Sequence, residues 1–167
     1  MSEDTKPPDV GAAPVHDESL VHVLGAKVLL DWLRNRQQLL VPFTLDLQKV
    51  AAEEAPRLVH AMVVAAQADG TADGTERERL ESALAHLQGD DDHRALLATA
   101  LQERTPLSTV LAGVHDVQTA ARLYAASLLA IDRRRPVNRH YLRYLAARLE
   151  LPKELVHSLE QRFRAAP

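Results

Sequence analysis

Residues 58–87 read LVHAMVVAAQADGTADGTERERLESALAHL, an apolar run followed by a short acidic turn and a second apolar pattern. Apolar residues recur at spacings of three and four on both sides of the turn, which is the period of one face of an α-helix. Gly70 ends the first run. Thr75 followed by Glu78 has the spacing of a capping box at the start of the next helix. The stretch therefore predicts two helices joined by an acidic turn.

Helical signals continue along the rest of the chain. Acidic residues follow Gly89, Thr105-Pro106 can cap and open a short helix, and Asp116 can cap the next helix. The sequence is 46% hydrophobic but only 4% aromatic, so its core must be aliphatic. These observations predict an all-α protein, a compact bundle of seven to nine helices with an N-terminal helical extension.

The domain organisation follows from where the helical pattern starts. Residues 1–15 are rich in Pro, Gly and Asp and predict a disordered tail. Residues 16–55 form the predicted N-terminal extension, whose first helix stops by Val41 because Pro42 follows. Residues 56–167 form the predicted helical domain. The first helix is more apolar than a surface helix needs. It either packs across the bundle, or leaves an apolar face for a protein partner or second copy, or lies on a membrane surface.

Composition excludes several classes of function. The chain has no Cys, which excludes disulfides, thiol catalysis and cysteine zinc sites. Its acidic start differs from a signal peptide. The run LVHVLGAKVLL is too short for a membrane-spanning helix, which needs roughly 20 apolar residues. We therefore predict a cytoplasmic protein without a spanning segment, and membrane association through a partner stays open.

Charge is distributed unevenly. Residues 120–167 contain ten Lys/Arg and four Asp/Glu, a net charge of +6, which leaves −9 in the first 119 residues of a chain whose total is −3. Such a division gives the molecule a field direction although its net charge is small.

The acidic turn resembles part of an EF-hand calcium loop. With Asp69 at loop position 1, Asp73 falls at position 5 and Gly74 at position 6, as the loop requires. Position 12 is Leu80, where the loop needs a bidentate Glu. An EF-hand site is therefore not expected.

Two interpretations of the turn remain. Asp69, Asp73 and Glu76 can collect a hard cation such as Ca²⁺ or Mg²⁺. Alternatively, the same residues are helix caps and first-turn acids that suit the helix dipole.

The turn has a weak internal repeat. An apolar helix ends at Asp69, and another ends at Asp132 in AIDRRRPVNRHYLRYLAARL. Glu76 lies four residues before Leu80, and Asn138 lies four residues before Leu142. The pattern in both places is a helix, a polar turn and a second helix.

These two blocks, LVHAMVVAAQADGTADGTERERL and ARLYAASLLAIDRRRPVNRHYLRYLAARLELPKELVHSLE, resemble the bacterial domain-of-unknown-function family 533, within the tellurite-resistance TerB-like superfamily. The resemblance covers residues 56–163. It implies a TerB-like helical bundle with a divalent-cation site in the acidic turns. The positions that match this site are Asp69, Asp73, Glu76 and Asp132. Family members often carry acidic residues where this chain has Arg134 and Asn138.

The arginines beside Asp132 change this expectation. Arg133, Arg134 and Arg135 oppose cation binding, and they can pair with the acidic turn if the two turns lie close together. Together with Arg139, they are the candidate residues for binding an anion or a partner. An RNA or phosphate patch is a third interpretation of this stretch, and overall acidity disfavours nucleic acid.

Other chemistry has little support in the sequence. His86 and His93 flank three Asp residues and could form a His/Asp metal site, although helix capping explains them more simply. No nucleophile–base pair or phosphate-binding loop is present. We therefore predict no enzyme but an interaction or scaffold module, with a protein partner or a homodimer formed through the N-terminal helix. The alternative is a divalent-cation-binding regulatory module that uses the acidic turn at Asp69–Glu76.

Overall fold

The computed structural model describes residues 23–29, 45–70 and 73–163. The chain divides into two compact units, Met1–Arg36 and Gln37–Pro167. In the first unit, residues 23–29 are helical and form α1. Four large apolar side chains of α1 are exposed, namely Val23, Leu24, Val28 and Leu29. The predicted disordered tail and the rest of the predicted first helix lie outside the described residues.

The described residues of the second unit form seven helices. They are α2 (Glu54–Ala66), α3 (Gly74–His86), α4 (Asp91–Gln102), α5 (Leu107–Leu111), α6 (Val117–Ala130), α7 (Pro136–Arg148) and α8 (Lys153–Arg162). Across the described residues the molecule therefore has eight helices and no strand. This confirms the predicted all-α fold.

Three of the seven helices of the second unit, α3, α4 and α6, begin at an aspartate N-cap. Oδ1 of Asp90 accepts a hydrogen bond from the His93 backbone N–H at 3.0 Å, and Oδ1 of Asp116 accepts one from the Thr119 N–H at 2.7 Å, as predicted. The predicted cap at Thr105 is wrong, because α5 begins after Pro106, which lies at the N-cap and provides no side-chain hydrogen bond.

α3 and α7 end in the same way. Gln88 and Glu150 follow these helices with positive φ angles of 58° and 51°. The next backbone N–H in each case reaches back to a carbonyl, from Gly89 to Leu84 at 2.9 Å and from Leu151 to Ala146 at 3.0 Å. This is the Schellman pattern, which satisfies carbonyls at a helix end.

The core is centred on α2 and α6. These helices pack more extensively on each other than any other pair, and α6 also contacts α3, α7 and α8. Both contribute fully buried alanines, including Ala61, Ala65, Ala121 and Ala125. Small side chains let two helix backbones approach closely, so leucines from the surrounding helices complete the aliphatic core. Leu45 and Leu47 also belong to this core.

A partly buried ion pair joins the two central helices. Glu54 in the first turn of α2 is 7% exposed, and its Oε1 and Oε2 accept hydrogen bonds from Nε and Nη2 of Arg122 at 2.5 and 3.0 Å. A bidentate pair fixes orientation as well as distance. Among the described residues, no helix is long and apolar enough to cross a membrane.

Candidate functional site

The acidic turn leads directly into α3, whose N-cap is Asp73. Asp73 has an extended backbone (φ −78°, ψ −178°), and its Oδ1 accepts a hydrogen bond from the Glu76 N–H at 2.9 Å. Glu76 Oε2 accepts one from the Asp73 N–H at 2.9 Å. The predicted capping box at Thr75 and Glu78 is therefore wrong by two residues. Thr75 already lies inside the first helical turn, where it cannot act as the N-cap.

One arginine from the turn between α6 and α7, Arg135, pairs with two carboxylates of this acidic turn. Nη1 of Arg135 donates to Asp69 Oδ2 and to Glu76 Oε1 at 3.1 Å. The side chains of Asp69 and Glu76 are 12% and 6% exposed, whereas that of Arg135 is 49% exposed. We call these three residues the Arg135 cluster. The guanidinium therefore lies over two nearly buried carboxylates.

The pKa of the Arg135 guanidinium is raised above its ordinary value. The largest cause is its hydrogen bond to Asp69, followed by the negative charge of Asp69, with smaller contributions from the charges of Glu76 and Asp73. Nearby carboxylates stabilise the charged form of a base. Arg135 is therefore a permanent cation at the place where the sequence suggested a metal ion.

The predicted metal ligands are divided among different interactions. Asp69 and Glu76 meet at Arg135, and Asp73 caps α3. Asp132 lies in the second turn, where its Oδ1 accepts from the Arg134 N–H at 3.0 Å. Within residues 23–29, 45–70 and 73–163, no group of three or more His, Asp or Glu side chains is arranged to hold a metal ion.

The four arginines predicted to bind an anion or a partner also separate. Arg135 faces the acidic turn. Arg133 donates from Nη1 to the Glu160 carbonyl at 3.3 Å, and Arg139 donates from Nη1 to the Arg134 carbonyl at 3.4 Å. Arg133, Arg134 and Arg139 line an open groove of about 1050 Å³.

We call this feature the arginine groove. It lies between α3, α7 and α8 and the end of α6, and its arginines are Arg79, Arg133, Arg134, Arg139 and Arg143. Leu129, Ile131 and Leu142 supply apolar surface beneath them. The side chains of Arg134 and Arg143 are exposed and have no charged partner among the residues that the structure describes. The groove therefore offers guanidinium groups that are available to an incoming anion.

The two carboxylates of the groove are already engaged. Asp132 Oδ2 lies 3.9 Å from Nη2 of Arg79. Glu160 Oε1 accepts a hydrogen bond from the buried Tyr124 hydroxyl at 3.1 Å. Burial, reinforced by the Glu160 charge, raises the pKa of Tyr124. This phenol consequently stays protonated at neutral pH and continues to donate to Glu160.

The two histidines proposed for a His/Asp site serve separate features. His93 lies at the start of α4, where Nδ1 pairs with Asp90 Oδ1 at 2.5 Å. The pKa of Asp90 is lowered, first by the hydrogen bond from the His93 backbone N–H and then by the one from its side chain. His86 lines the arginine groove. This geometry makes His93 part of a helix cap.

Sequence reasoning missed the residues that the groove takes from other helices. Arg79 comes from α3, and His157 and Gln161 come from α8. Neither helix shows a basic run in the sequence, so no local motif points to them. The available signal was the positive charge of residues 120–167. It indicated that a basic surface exists but did not indicate the shape of that surface.

The chain matches a family model described as a protein of unknown function (DUF533) over residues 12–163. It belongs to the DUF533 family. The DUF533 match starts well before the resemblance over residues 56–163 and includes the N-terminal region. No curated protein and no solved structure matches the chain.

Proposed function

We propose that this DUF533 protein is a non-enzymatic interaction module whose arginine groove binds an acidic or phosphorylated segment of a protein partner. One observation carries the proposal. Five arginines line an open groove that has two carboxylates, of which Asp132 pairs with one of the five, Arg79, and Glu160 accepts from the Tyr124 hydroxyl. Guanidinium groups form strong, oriented hydrogen bonds to carboxylate and phosphate groups.

The shape of the groove favours a protein segment over a bare ion. Its volume of about 1050 Å³ exceeds what one phosphate needs, and its floor includes Leu129, Ile131 and Leu142. A peptide can place acidic side chains on the arginines and apolar ones on this floor. A cytoplasmic location and a TerB-like superfamily fold belong to the same proposal. Membrane association would then depend on the partner.

The cation-binding alternative is less favoured by the geometry. Arg135 already supplies positive charge to Asp69 and Glu76, and Asp73 is held by the α3 cap. A metal ion at this turn would have to displace the guanidinium. We expect Ca²⁺ and Mg²⁺ to leave the melting temperature of the wild-type protein unchanged, whereas a bound ligand at 100 times its Kd stabilises by about 2.7 kcal/mol.

Peptide binding tests the proposed function. Fluorescence anisotropy would compare a labelled Glu-rich peptide with a Gln-rich peptide of the same length. We expect Arg139→Gln/Arg143→Gln to weaken binding of the Glu-rich peptide about tenfold or more, since each lost charged hydrogen bond contributes more than a neutral one. Binding should also weaken as salt is added.

The matched control is Arg94→Gln/Arg148→Gln, which removes the same charge from exposed positions outside the groove. It should change the affinity less than about twofold if only screened long-range charge is lost. Equal losses in the two double variants would contradict a groove site. Tighter binding of a single-stranded RNA than of the peptide would show that the groove binds nucleic acid instead of a protein segment.

Self-association through the N-terminal helix is a second candidate, and the exposed apolar side chains of α1 favour it. Exposed apolar clusters often mark interfaces. Light scattering on the full chain should show a dimer that Leu24→Glu/Val28→Glu converts to a monomer. A monomeric wild-type protein, or an unchanged dimer mass in the variant, would reject this interface.

A further inference from the structure

A second cavity, of about 700 Å³, lies among α2, α3, the end of α4 and α7. We call it the Tyr141 cavity and define it by Val64, Arg77, Leu101, Arg104 and Tyr141, with Gln67, Ala68, Gly70, Gln102 and Thr105 completing its wall. It shares no residue with the arginine groove. Whatever it binds is therefore recognised separately from the proposed protein partner.

Charge is the first indication of what this cavity binds. Arg77 and Arg104 are the charged residues of its wall, which contains no carboxylate. Both side chains are exposed, and neither guanidinium has a partner among the residues that the structure describes. Two unpaired cations beside one cavity attract an anion.

The rest of the wall limits the size and nature of that anion. Val64 and Leu101 are half-buried and apolar, and the amides of Gln67 and Gln102 add neutral hydrogen-bonding groups. The cavity has two guanidinium groups, which is enough for a single carboxylate, whereas the arginine groove has five guanidinium groups. The apolar residues favour a ligand that carries its charge on a short hydrophobic body.

The tyrosine provides an independent observation. The Tyr141 hydroxyl is buried and has no hydrogen-bond partner among the described residues. Burial raises its pKa, so the group is a neutral donor at physiological pH. Buried polar atoms in native proteins are nearly always paired, and an unpaired one calls for an explanation. A ligand that enters the cavity and displaces the atoms covering this hydroxyl would supply the missing acceptor.

We propose that the Tyr141 cavity binds a small organic anion, a carboxylate on a short apolar body. Arg77 and Arg104 pair with the carboxylate, and the apolar body lies against Val64 and Leu101. This site is independent of the groove and of any protein partner.

Calorimetric titration of the full chain tests the site with hexanoate and benzoate as probes. Hexan-1-ol serves as the probe that lacks the charge, and inorganic phosphate as the probe that lacks the apolar body. We expect saturable binding of a carboxylate probe. Neither hexan-1-ol nor inorganic phosphate should bind at the same concentrations. The proposal is overturned if neither carboxylate binds saturably, or if hexan-1-ol binds equally well.

Variants then locate the binding. Arg77→Gln/Arg104→Gln should weaken carboxylate binding about tenfold or more, because two charged hydrogen bonds are lost. Arg139→Gln/Arg143→Gln in the groove should leave it unchanged, which separates this site from the proposed function. Unchanged affinity in the first double variant, or an equal loss in the second, would show that the carboxylate binds elsewhere.

Tyr141→Phe gives a readout that a structural role would not produce. Removing a hydroxyl without a partner should not lower the melting temperature of the free protein, yet it should weaken carboxylate binding. The control is Tyr144→Phe, whose hydroxyl accepts from Arg148 at 2.9 Å. A lower melting temperature with unchanged binding in Tyr141→Phe would show that the phenol is structural and would overturn its role as a ligand contact.

Discussion

The turn between α2 and α3 and the turn between α6 and α7 are built on the same plan with opposite charge. Asp73 is the N-cap of α3 and Arg135 is the N-cap of α7. Glu76 and Asn138 occupy the third position of each helix, and both are buried. The separation in sequence between Asp73 and Arg135 is the same as that between Glu76 and Asn138.

The difference lies in what each N-cap side chain does. Asp73 bonds to its own helix, in a capping box. Arg135 makes no side-chain cap on α7 and instead reaches the acidic turn. One copy of the repeat therefore uses the cap position locally, and the other uses it to join the two turns. A repeated motif can in this way give up a local stabilising bond for a long-range one.

The largest expected effect comes from making the two caps alike. Arg135→Asp would give α7 a good N-cap residue, but it would place a third carboxylate near Asp69 and Glu76 without a cation. We expect a marked fall in melting temperature at neutral pH. Arg134→Asp, which makes the same charge change at an exposed position, is the control. Similar falls in both variants would show that the Arg135 cluster does not stabilise the fold.

The second prediction compares the buried third-position residues. Glu76→Ala leaves the Asp73 N–H without its partner and removes a buried charge that is bonded to Arg135. It should lower the free energy of unfolding by about 2 kcal/mol, as expected for hydrogen bonds to charged groups. Asn138→Ala loses one neutral hydrogen bond, from Nδ2 to the Asp132 carbonyl, and should cost about 1 kcal/mol. Urea denaturation measures both, and the reverse order would contradict the comparison.

The third prediction concerns the local cap alone. Asp73→Ala should reduce the free energy of unfolding by about 1 kcal/mol, the usual loss for an N-cap. Thr75→Ala should change it little, because Thr75 is not the cap. Chemical denaturation measures the free energy of unfolding of both variants. A larger loss of stability in Thr75→Ala would show that Thr75 and Glu78 form the capping box, as the sequence predicted.

The smallest effect at neutral pH is expected from Arg135→Lys, which keeps the positive charge. A base whose folded-state pKa is raised contributes stability below its unfolded pKa and loses it as pH rises through the folded value. The advantage of the Lys variant over Arg135→Gln should therefore begin to fall above about pH 10.4, the ordinary lysine pKa, and be lost once the pH passes the raised pKa of the folded variant. The wild-type advantage over Arg135→Gln should persist there. Thermal melts across alkaline pH test this, and parallel curves would contradict it.

Helical periodicity predicted most of the fold because each helix buries a regular apolar face. Leu80 and Leu84 follow the acidic turn at a spacing of four, and both are buried in α3 as this period predicts. The start of α3 was misplaced because two overlapping patterns, Asp73 to Glu76 and Thr75 to Glu78, have the same spacing. Backbone conformation at one residue selects between them, and the sequence does not state it.

The candidate site was less predictable because it depends on direction as well as position. Arg133, Arg134 and Arg135 are adjacent in the sequence, yet only Arg135 faces the acidic turn, while the other two line the groove. Each step along a turn changes where the side chain points. Arg79 and the unpartnered hydroxyl of Tyr141 become recognisable only when separate helices are brought together.

The central position of α6 has a consequence for how the molecule fluctuates. Because α6 packs against α2, α3, α7 and α8, the backbone amides of its mostly buried part, residues 120–130, cannot meet solvent unless most of the core separates. In native-state hydrogen exchange, the amides of residues 120–130 of α6 should therefore exchange only through global unfolding. Amides of α5, a helix of five residues, should exchange by local fraying. Motions that widen the arginine groove or the Tyr141 cavity can then occur in the outer helices while the α2–α6 pair stays intact.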